Sequence, residues 1–330
     1  VGAALTVTRK EGAMRFVATV RDATQTIRAT ASGPWPLDGP RDEIFVEIPP
    51  IVFETGGKQP ALFAPALAAF EVSRGRLSGT ARIHRKNDTL TGTADLAAED
   101  FAFTVAGAEI DGLTSEIHLD SLAPPVTAPD QQLRIARIDL GTRIDDIRVD
   151  YRVTDRAGVP ELEIATARAG VLGGSLTIDD AALPLDGRIV DLPVAVAGLD
   201  VTQMLELLGV EGLEGSGALS GRLPLRLSAA TAEIRDGKLS ADGPGVLKLD
   251  AQAAADFLAA QGESVDLAIR ALEDFHYTEL TIDVAREAAG AAQLKLSMLG
   301  QNPAVLEGHP FRFNINLKSN VDELVAALLQ

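Results

Sequence analysis

The 330-residue sequence contains no cysteine. That excludes disulfides, thiolate nucleophiles and cysteine-ligated metal sites together. It leaves the compartment open, because an oxidising environment permits disulfides without requiring them. Aromatic residues make up 4% of the chain, so its 46% apolar content is carried by Ala, Leu, Val and Ile. Such a composition favours broad, smooth apolar surfaces over aromatic-lined pockets. Positive charge is also scarce: 30 Lys and Arg against 47 Asp and Glu give a net charge of −17. Nucleic acid is therefore a poor partner, since phosphate binding needs clustered cations that release counterions. An anionic membrane surface would repel the chain as well. No apolar run approaches the roughly 18 residues of a membrane-spanning helix, and Val1 opens no signal peptide. Beginning in mid-pattern without Met, the chain reads as soluble, or as a piece of something anchored elsewhere. Its length allows one large domain or two ordinary ones.

What is present is a long series of strands. Apolar and polar residues alternate at Ile147, Val149, Tyr151 and Val153, at Leu280, Ile282 and Val284, at Leu294, Leu296 and Met298, and at Phe311, Phe313, Ile315 and Leu317. Each run predicts a strand with one apolar face. In "LPLRLSAATAEIRDGKLSADGPGVLKL", residues 223–249, Leu223, Leu225 and Leu227 share a face. A turn at "RDGK" is expected to reverse the chain so that Ile234 and Leu239 continue that face. Gly243-Pro244-Gly245 then bends the strand. Further turn signals are Asn87-Asp88 and Asp155 to Gly158. Such a chain folds as a sandwich, a barrel or an extended sheet.

Helices interrupt the series in few places. Asp200 is a predicted N-cap with Gln203 at the capping-box position, opening a helix through Met204, Leu205 and Leu208 that stops at Gly209. An Ala-rich segment from Asp250 to Gly262 has helical composition, and a short helix is expected from Ser264 to about Glu273. A last helix, about 320–330, begins at Asn320 with Glu323 at the box position. The Pro-rich "SLAPPVTAPDQQ" (121–132) is the softest boundary, but strands resume directly after it. Glycines recur in "RGRLSGT", "RAGVLGGS", "GSGALSGR" and "RDGKLSAD". Ordinary hairpin glycines account for them, as does a repeated strand-turn-strand unit; their irregular spacing excludes a fixed-period solenoid.

Catalytic patterns are absent. His84, His118, His276 and His309 show no metal-ligand spacing. Asp145-Asp146 and Asp179-Asp180 are adjacent pairs, which on a strand point to opposite faces or else sit in turns, so neither makes a glycosidase couple. "GPWP", with the sole tryptophan Trp35, reads as a turn, and "GVEGLEGSG" lacks the lysine of a phosphate loop. The sequence predicts no enzyme, no cofactor and no metal. "GQNPAVLEGHPFRFNINLKSN" (300–320) reads as a hairpin framed by Asn302-Pro303 and Gly308-His309-Pro310. Its far edge is a candidate acceptor for a partner strand, and Lys318 a candidate edge-blocking charge.

Seven segments in this order, "LFAPALAAFEVSRGRLSGTARI" (62–83), "SLAPPVTAPDQQLRIARIDLG" (121–141), "ARAGVLGGSLTI" (167–178), "LEGSGALSGRLPLRL" (213–227), "IRDGKLSADGPGVLKL" (234–249), "ALEDFHYTELTIDV" (271–284) and "LGQNPAVLEGHPFRFNINL" (299–317), resemble the C-terminal half of YdbH-family proteins, of the AsmA-like group of cell-envelope proteins. The resemblance covers roughly residues 61–330, with residues 1–60 a β segment continuous with it and matching nothing by motif. It implies an extended antiparallel sheet curled into a half-tube, or β-groove, with an apolar lining and a few capping helices. In that fold Leu223, Leu225, Leu227, Ile234, Leu239, Leu280, Ile282, Val284, Leu294, Leu296, Met298, Phe313, Ile315 and Leu317 are the groove candidates. It further implies a periplasmic bridge that carries phospholipid between the inner and outer membranes. The anchor lies in an N-terminal segment absent here, and a small outer-membrane lipoprotein adds a strand at the sheet edge. Two alternatives remain: a closed β-sandwich serving as an envelope scaffold or binding module, and solute transport of the dicarboxylate kind. The second would need convergent Arg or Lys, and the basic residues are scattered.

Overall fold

The computed structural model describes residues 2–10, 13–21, 28–35, 43–62, 68, 70–86, 89–105, 107–139, 142–208, 212–228, 232–250, 266–287 and 292–319. Twenty strands form one large open antiparallel sheet that is not closed into a barrel, with two α-helices among the described residues. The strands belong to a single sheet rather than to the two packed sheets of a sandwich. The chain divides into two compact units: Val1–Ile138, Asp146–Ala167 and Asp180–Gly187 make the first, and Asp139–Asp145, Arg168–Asp179 and Arg188–Gln330 the second.

The first unit is a meander. Strands β1 (Gly2–Lys10), β2 (Ala13–Arg21), β3 (Arg28–Pro34), β4 (Glu43–Glu54), β5 (Glu71–Lys86), β6 (Thr89–Val105), β7 (Ala108–Leu122) and β8 (Pro125–Thr127) each pair with the next, and β9 (Gln131–Asp139) returns to β7. Ile51, Phe53 and Val72 form a small core, with Ile48, Leu77, Phe101 and Phe103 packed against it. Register shifts between Ile48 and Ile51, across Pro49-Pro50, and between Ala98 and Phe101, where Asp100 has φ 49°. Proline cannot donate to a ladder and a left-handed residue cannot continue one, so each site becomes a bulge. β10 (Arg143–Arg156), β11 (Val159–Val171) and β12 (Gly174–Pro184) contribute residues to both units. The predicted turn at Asp155 to Gly158 joins β10 to β11, with Ala157 and Gly158 at φ 56° and 85°. Those values suit the tight turn whose twist matches antiparallel strands.

In the second unit β13 (Val190–Asp200) leads into α1 (Val201–Leu208). Asp200 caps this helix as expected, its Oδ1 accepting from the Gln203 amide at 2.9 Å. Then follow β14 (Leu213–Ser216), β15 (Ala218–Leu227), β16 (Ala232–Ala241), β17 (Gly245–Leu249), α2 (Asp266–Leu272), β18 (Phe275–Arg286), β19 (Ala292–Gln301) and β20 (Phe311–Ser319). β15 lies beside β13, and the order continues through β16, β18 and β19 to β20; β14 pairs with β17, which pairs with the start of β18. Helix α2 falls within the span expected from Ser264 to Glu273, and β19 and β20 form the expected hairpin. The helices expected at 250–262 and 320–330, the stop at Gly209 and the turn at Asn87-Asp88 lie outside the described residues.

One expectation is overturned. "RDGK" does not reverse the chain: residues 235–238 lie inside β16, which pairs with β15 on one side and β18 on the other. Both registers shift there, and Asp236 takes φ 54°. The same left-handed chemistry that favours Asp-Gly in a turn here builds a bulge, and the reversal falls between Leu227 and Ala232.

The sheet of this unit bends where β14 passes through Gly217 to β15 and β16 passes through Gly243-Pro244 to β17. Tyr277 fills the corner. It is fully buried, and its hydroxyl donates to the Ser216 carbonyl at 2.8 Å. A Cβ at Gly245 or Gly217 would collide with that phenol oxygen, and Gly217 also sits at φ 129°. The Gly245→Ala variant must displace either the tyrosine or the Ser216 backbone, and is expected to lose about 1–3 kcal/mol. Tyr277→Phe, which forfeits one hydrogen bond, is expected to lose about 1 kcal/mol in urea unfolding. Burial pushes the Tyr277 phenol up from its ordinary 10.0. The folded state holds the neutral form, so its contribution is constant below pH 10.0 and falls as pH rises from there through the raised value. The stability gap between wild type and Tyr277→Phe is therefore expected to narrow above pH 10; a gap that widens there would contradict this assignment.

Candidate functional site

The registers of the second unit convert separate alternating strands into continuous rows. Leu176 of β12 pairs with Val196, and the row runs on through Gly221, Leu239, Ile282 and Leu296 to Ile315 of β20. A second row passes from Val194 to Leu223, then Gly237, Val284, Leu294 and Leu317; Leu223 packs where a Gly237 side chain would stand. Leu192, Leu225 and Ile234 make a third, Leu280, Met298 and Phe313 a fourth, and Val190 stands opposite Leu227. All fourteen groove candidates thus occupy one face. The longest row crosses seven strands, about 29 Å at some 4.8 Å per step. The opposite face is polar: Arg222, Lys238, Asp283, Lys295 and Asn316 form one of its rows, all exposed.

Burial divides the apolar face. Leu239, Leu280, Ile282 and Met298 are 1–5% exposed and belong to a core that also holds Leu219, Leu247, Phe275 and Tyr277, with Val201 and Leu205 of α1. Leu205, Val201 and Leu247 meet directly over Gly215, where no Cβ fits. Phe313 packs edge-on to Phe275 at 5.1 Å. Leu223, Val284, Leu294, Leu296, Phe313 and Ile315 are half-buried against this core, and Leu225, Leu227 and Ile234 are half-buried beyond it. Leu317 is placed by backbone register alone, opposite Leu294. The face therefore has a section the protein fills itself and a section of half-exposed aliphatic side chains. Such a surface offers van der Waals contact to flexible apolar chains.

The sequence reading missed β13, although Val190, Leu192, Val194 and Val196 alternate strictly. Asp191, Pro193 and Ala195 separate them, and with a proline and an alanine at two of the three positions the signal that charged residues give elsewhere is blurred. The aspartate pairs prove to be backbone devices, since Asp146 and Asp180, like Asp236, take left-handed φ of 51–54°.

The first unit repeats the pattern with smaller residues. Val46, Ala81, Ala94 and Leu119 form one row, and Ile48, Gly79, Leu96 and Ile117 another. On its other face His118 stands between Asp95 and Asp120, Nε2 lying 3.5 Å from the latter. His118 and Asp95, with Thr80, Glu116, Asp130 and Arg134 among others, line a concavity of about 740 Å³. His118 is half-exposed, so its ion pairs are screened and contribute little. His276 faces Asp274 at 3.2 Å and His309 Nδ1 donates to the Leu306 carbonyl at 2.7 Å. Among the described residues no cluster of His, Asp or Glu is arranged to hold a metal ion, and no helix is long and apolar enough to cross a membrane.

No curated protein and no solved structure matches the chain. The family model for YdbH-like proteins, described as intermembrane phospholipid transport protein YdbH, matches residues 9–330. That span takes in β2 to β4, for which the motifs had no counterpart, together with the apolar rows of both units. An open antiparallel sheet with one aliphatic face, matched over nearly its whole length, is a member of that group: the chain belongs to the YdbH-like family.

Proposed function

We propose that the apolar face of this sheet holds the acyl chains of phospholipid in transit between two membranes, with the polar face turned to water. The observation that carries the reading is the set of apolar rows on one face of β13, β15, β16, β18, β19 and β20, the longest reaching β12 and part of the face half-exposed. Contiguous apolar surface of that extent is otherwise costly and marks an interaction site. At about 0.8 kcal/mol per methylene, a tail of roughly fifteen methylenes gains on the order of 12 kcal/mol on leaving water. That retains a lipid against an aqueous compartment. Repeated rows of Leu, Val and Ile offer successive positions of similar depth, which lets a chain move along them; one sculpted pocket would trap it.

Membership of a family described as intermembrane phospholipid transport proteins supports the same reading. The full proposal is a curled sheet spanning the periplasm of a Gram-negative envelope, held by a membrane anchor, with a small outer-membrane lipoprotein adding its strand to a sheet edge. It assigns no catalytic residue. The half-buried members of the face are the lipid-contacting positions, and the buried Leu239, Leu280, Ile282 and Met298 support them from beneath.

Charge placed on the face tests this. Leu225→Asp and Leu296→Asp are expected to lower co-purified phospholipid at least about tenfold with the far-ultraviolet circular dichroism of the sheet retained, because an acyl chain cannot desolvate a carboxylate. Lys295→Asp, on the opposite face, is expected to keep its lipid. Undiminished lipid in a folded Leu296→Asp protein would count against the proposal.

A further inference from the structure

Charge is distributed unevenly along the chain. Strands β1 to β3 carry Arg9, Lys10, Arg15, Arg21 and Arg28 and no acidic residue. With Glu11 and Asp22 of the connections counted, residues 2–35 still hold a net charge of +3 in a chain of −17. Three of the five basic residues lie at one end of this ribbon. There the register sets Lys10 opposite Ala13, Arg9 opposite Met14, Thr8 opposite Arg15 and Arg15 opposite Pro34. Arg9 and Arg15 are exposed, and neither has an ion-pair partner among the described residues. Glu43, at the start of the neighbouring β4, is paired with Arg82 at 3.6 Å. The same end exposes apolar side chains: Trp35, the sole tryptophan, is 41% exposed and Met14 45%. The indole is fixed in place, its residue's amide donating to the Met14 carbonyl at 2.9 Å and its ring meeting Phe16 edge-on at 6.4 Å.

We propose that this end of the β1–β3 ribbon docks on the surface of an anionic phospholipid bilayer. An exposed indole and thioether beside unpaired arginines match that boundary, where guanidinium groups meet lipid phosphate and an amphipathic tryptophan ring sits at the level of the headgroups. The negative charge of the whole chain does not forbid the contact, because exposed charges farther off than a Debye length, about 8 Å at physiological ionic strength, are largely screened. The local surplus of arginine decides. Docking there sets the bilayer at one end of strands whose other residues carry the apolar row that runs from Leu5 of β1 through Ala18, Ala31 and Val46. The contact is separate from the holding of acyl chains proposed above, and either property can fail without the other.

The sole tryptophan makes the test local. The full chain is titrated with vesicles of phosphatidylcholine alone and of an equimolar mixture with phosphatidylglycerol, and both the Trp35 emission and the protein sedimented with the vesicles are followed. The mixed vesicles are expected to bind the protein and move the Trp35 emission to shorter wavelength, reversibly with added salt, whereas phosphatidylcholine vesicles leave it unmoved. The double variant Arg9→Gln, Arg15→Gln is expected to bind about thirtyfold more weakly, the combined worth of two basic side chains at an anionic surface. Both residues are exposed, so the variant is expected to keep the circular dichroism of the sheet. Arg222→Gln, on the polar face of the second unit, is expected to bind as the wild type does. Failure to bind either vesicle overturns the proposal, as does equal binding to both or undiminished binding by the folded double variant. An unmoved Trp35 emission on vesicles that sediment the protein would place the contact elsewhere and overturn it as well. A shift produced as readily by soluble polyglutamate would make this end a site for acidic protein, with the same consequence.

Discussion

Cross-strand register is the constraint on which the rest depends. Side chains on a strand alternate with a period of two, so a slip of one residue in any pairing would turn that strand's leucines to the polar side and break every row. The chain holds register through hydrogen-bonded ladders and also through its irregularities. The bulge at Asp236 adds a residue on β16 that lets Ile234 and Leu239, five positions apart, face the same way. The bulge at Ala197 and Gly198 does the same for β13, with the Gly198 amide donating to Ser220 Oγ at 2.9 Å and that hydroxyl donating to Asp242.

A consistent face can be buried or left accessible, and the second unit does both. Where the strands bend, Gly217 and Gly245 bring backbones together over Tyr277, and Val201 and Leu205 of α1 settle on Gly215. That end is dry and tightly packed, which gives an otherwise open sheet a conventional core. Away from it no helix among the described residues packs on Leu225, Leu227 or Ile234. The packed core of the unit and its half-exposed aliphatic section therefore lie in different parts of one surface.

Much of this was legible in the sequence. Strands β15 and β18 to β20 announce themselves because leucine, valine and isoleucine alternate with charged or amide residues, and Asp200 with Gln203 marks α1. Other features were not, for physical reasons. Asp-Gly supplies positive φ equally to a hairpin turn and to a bulge, and either would leave Ile234 and Leu239 on one face, so local chemistry could not choose between them at "RDGK". Ile282 and Leu296 are neighbours in one row with the same local pattern, yet one is buried and the other half-exposed. Ile282 belongs to the core that Tyr277 and the distant Val201 and Leu205 of α1 complete, whereas Leu296 packs at its margin.

The most direct test of the central claim is native mass spectrometry, with lipid extraction, of the chain purified from a bacterial periplasm. An open face with repeated aliphatic rows predicts co-purified phospholipid at more than one copy per chain. A folded chain with a lipid-free mass would contradict it, and would mean that the exposed leucines are covered by protein in the cell.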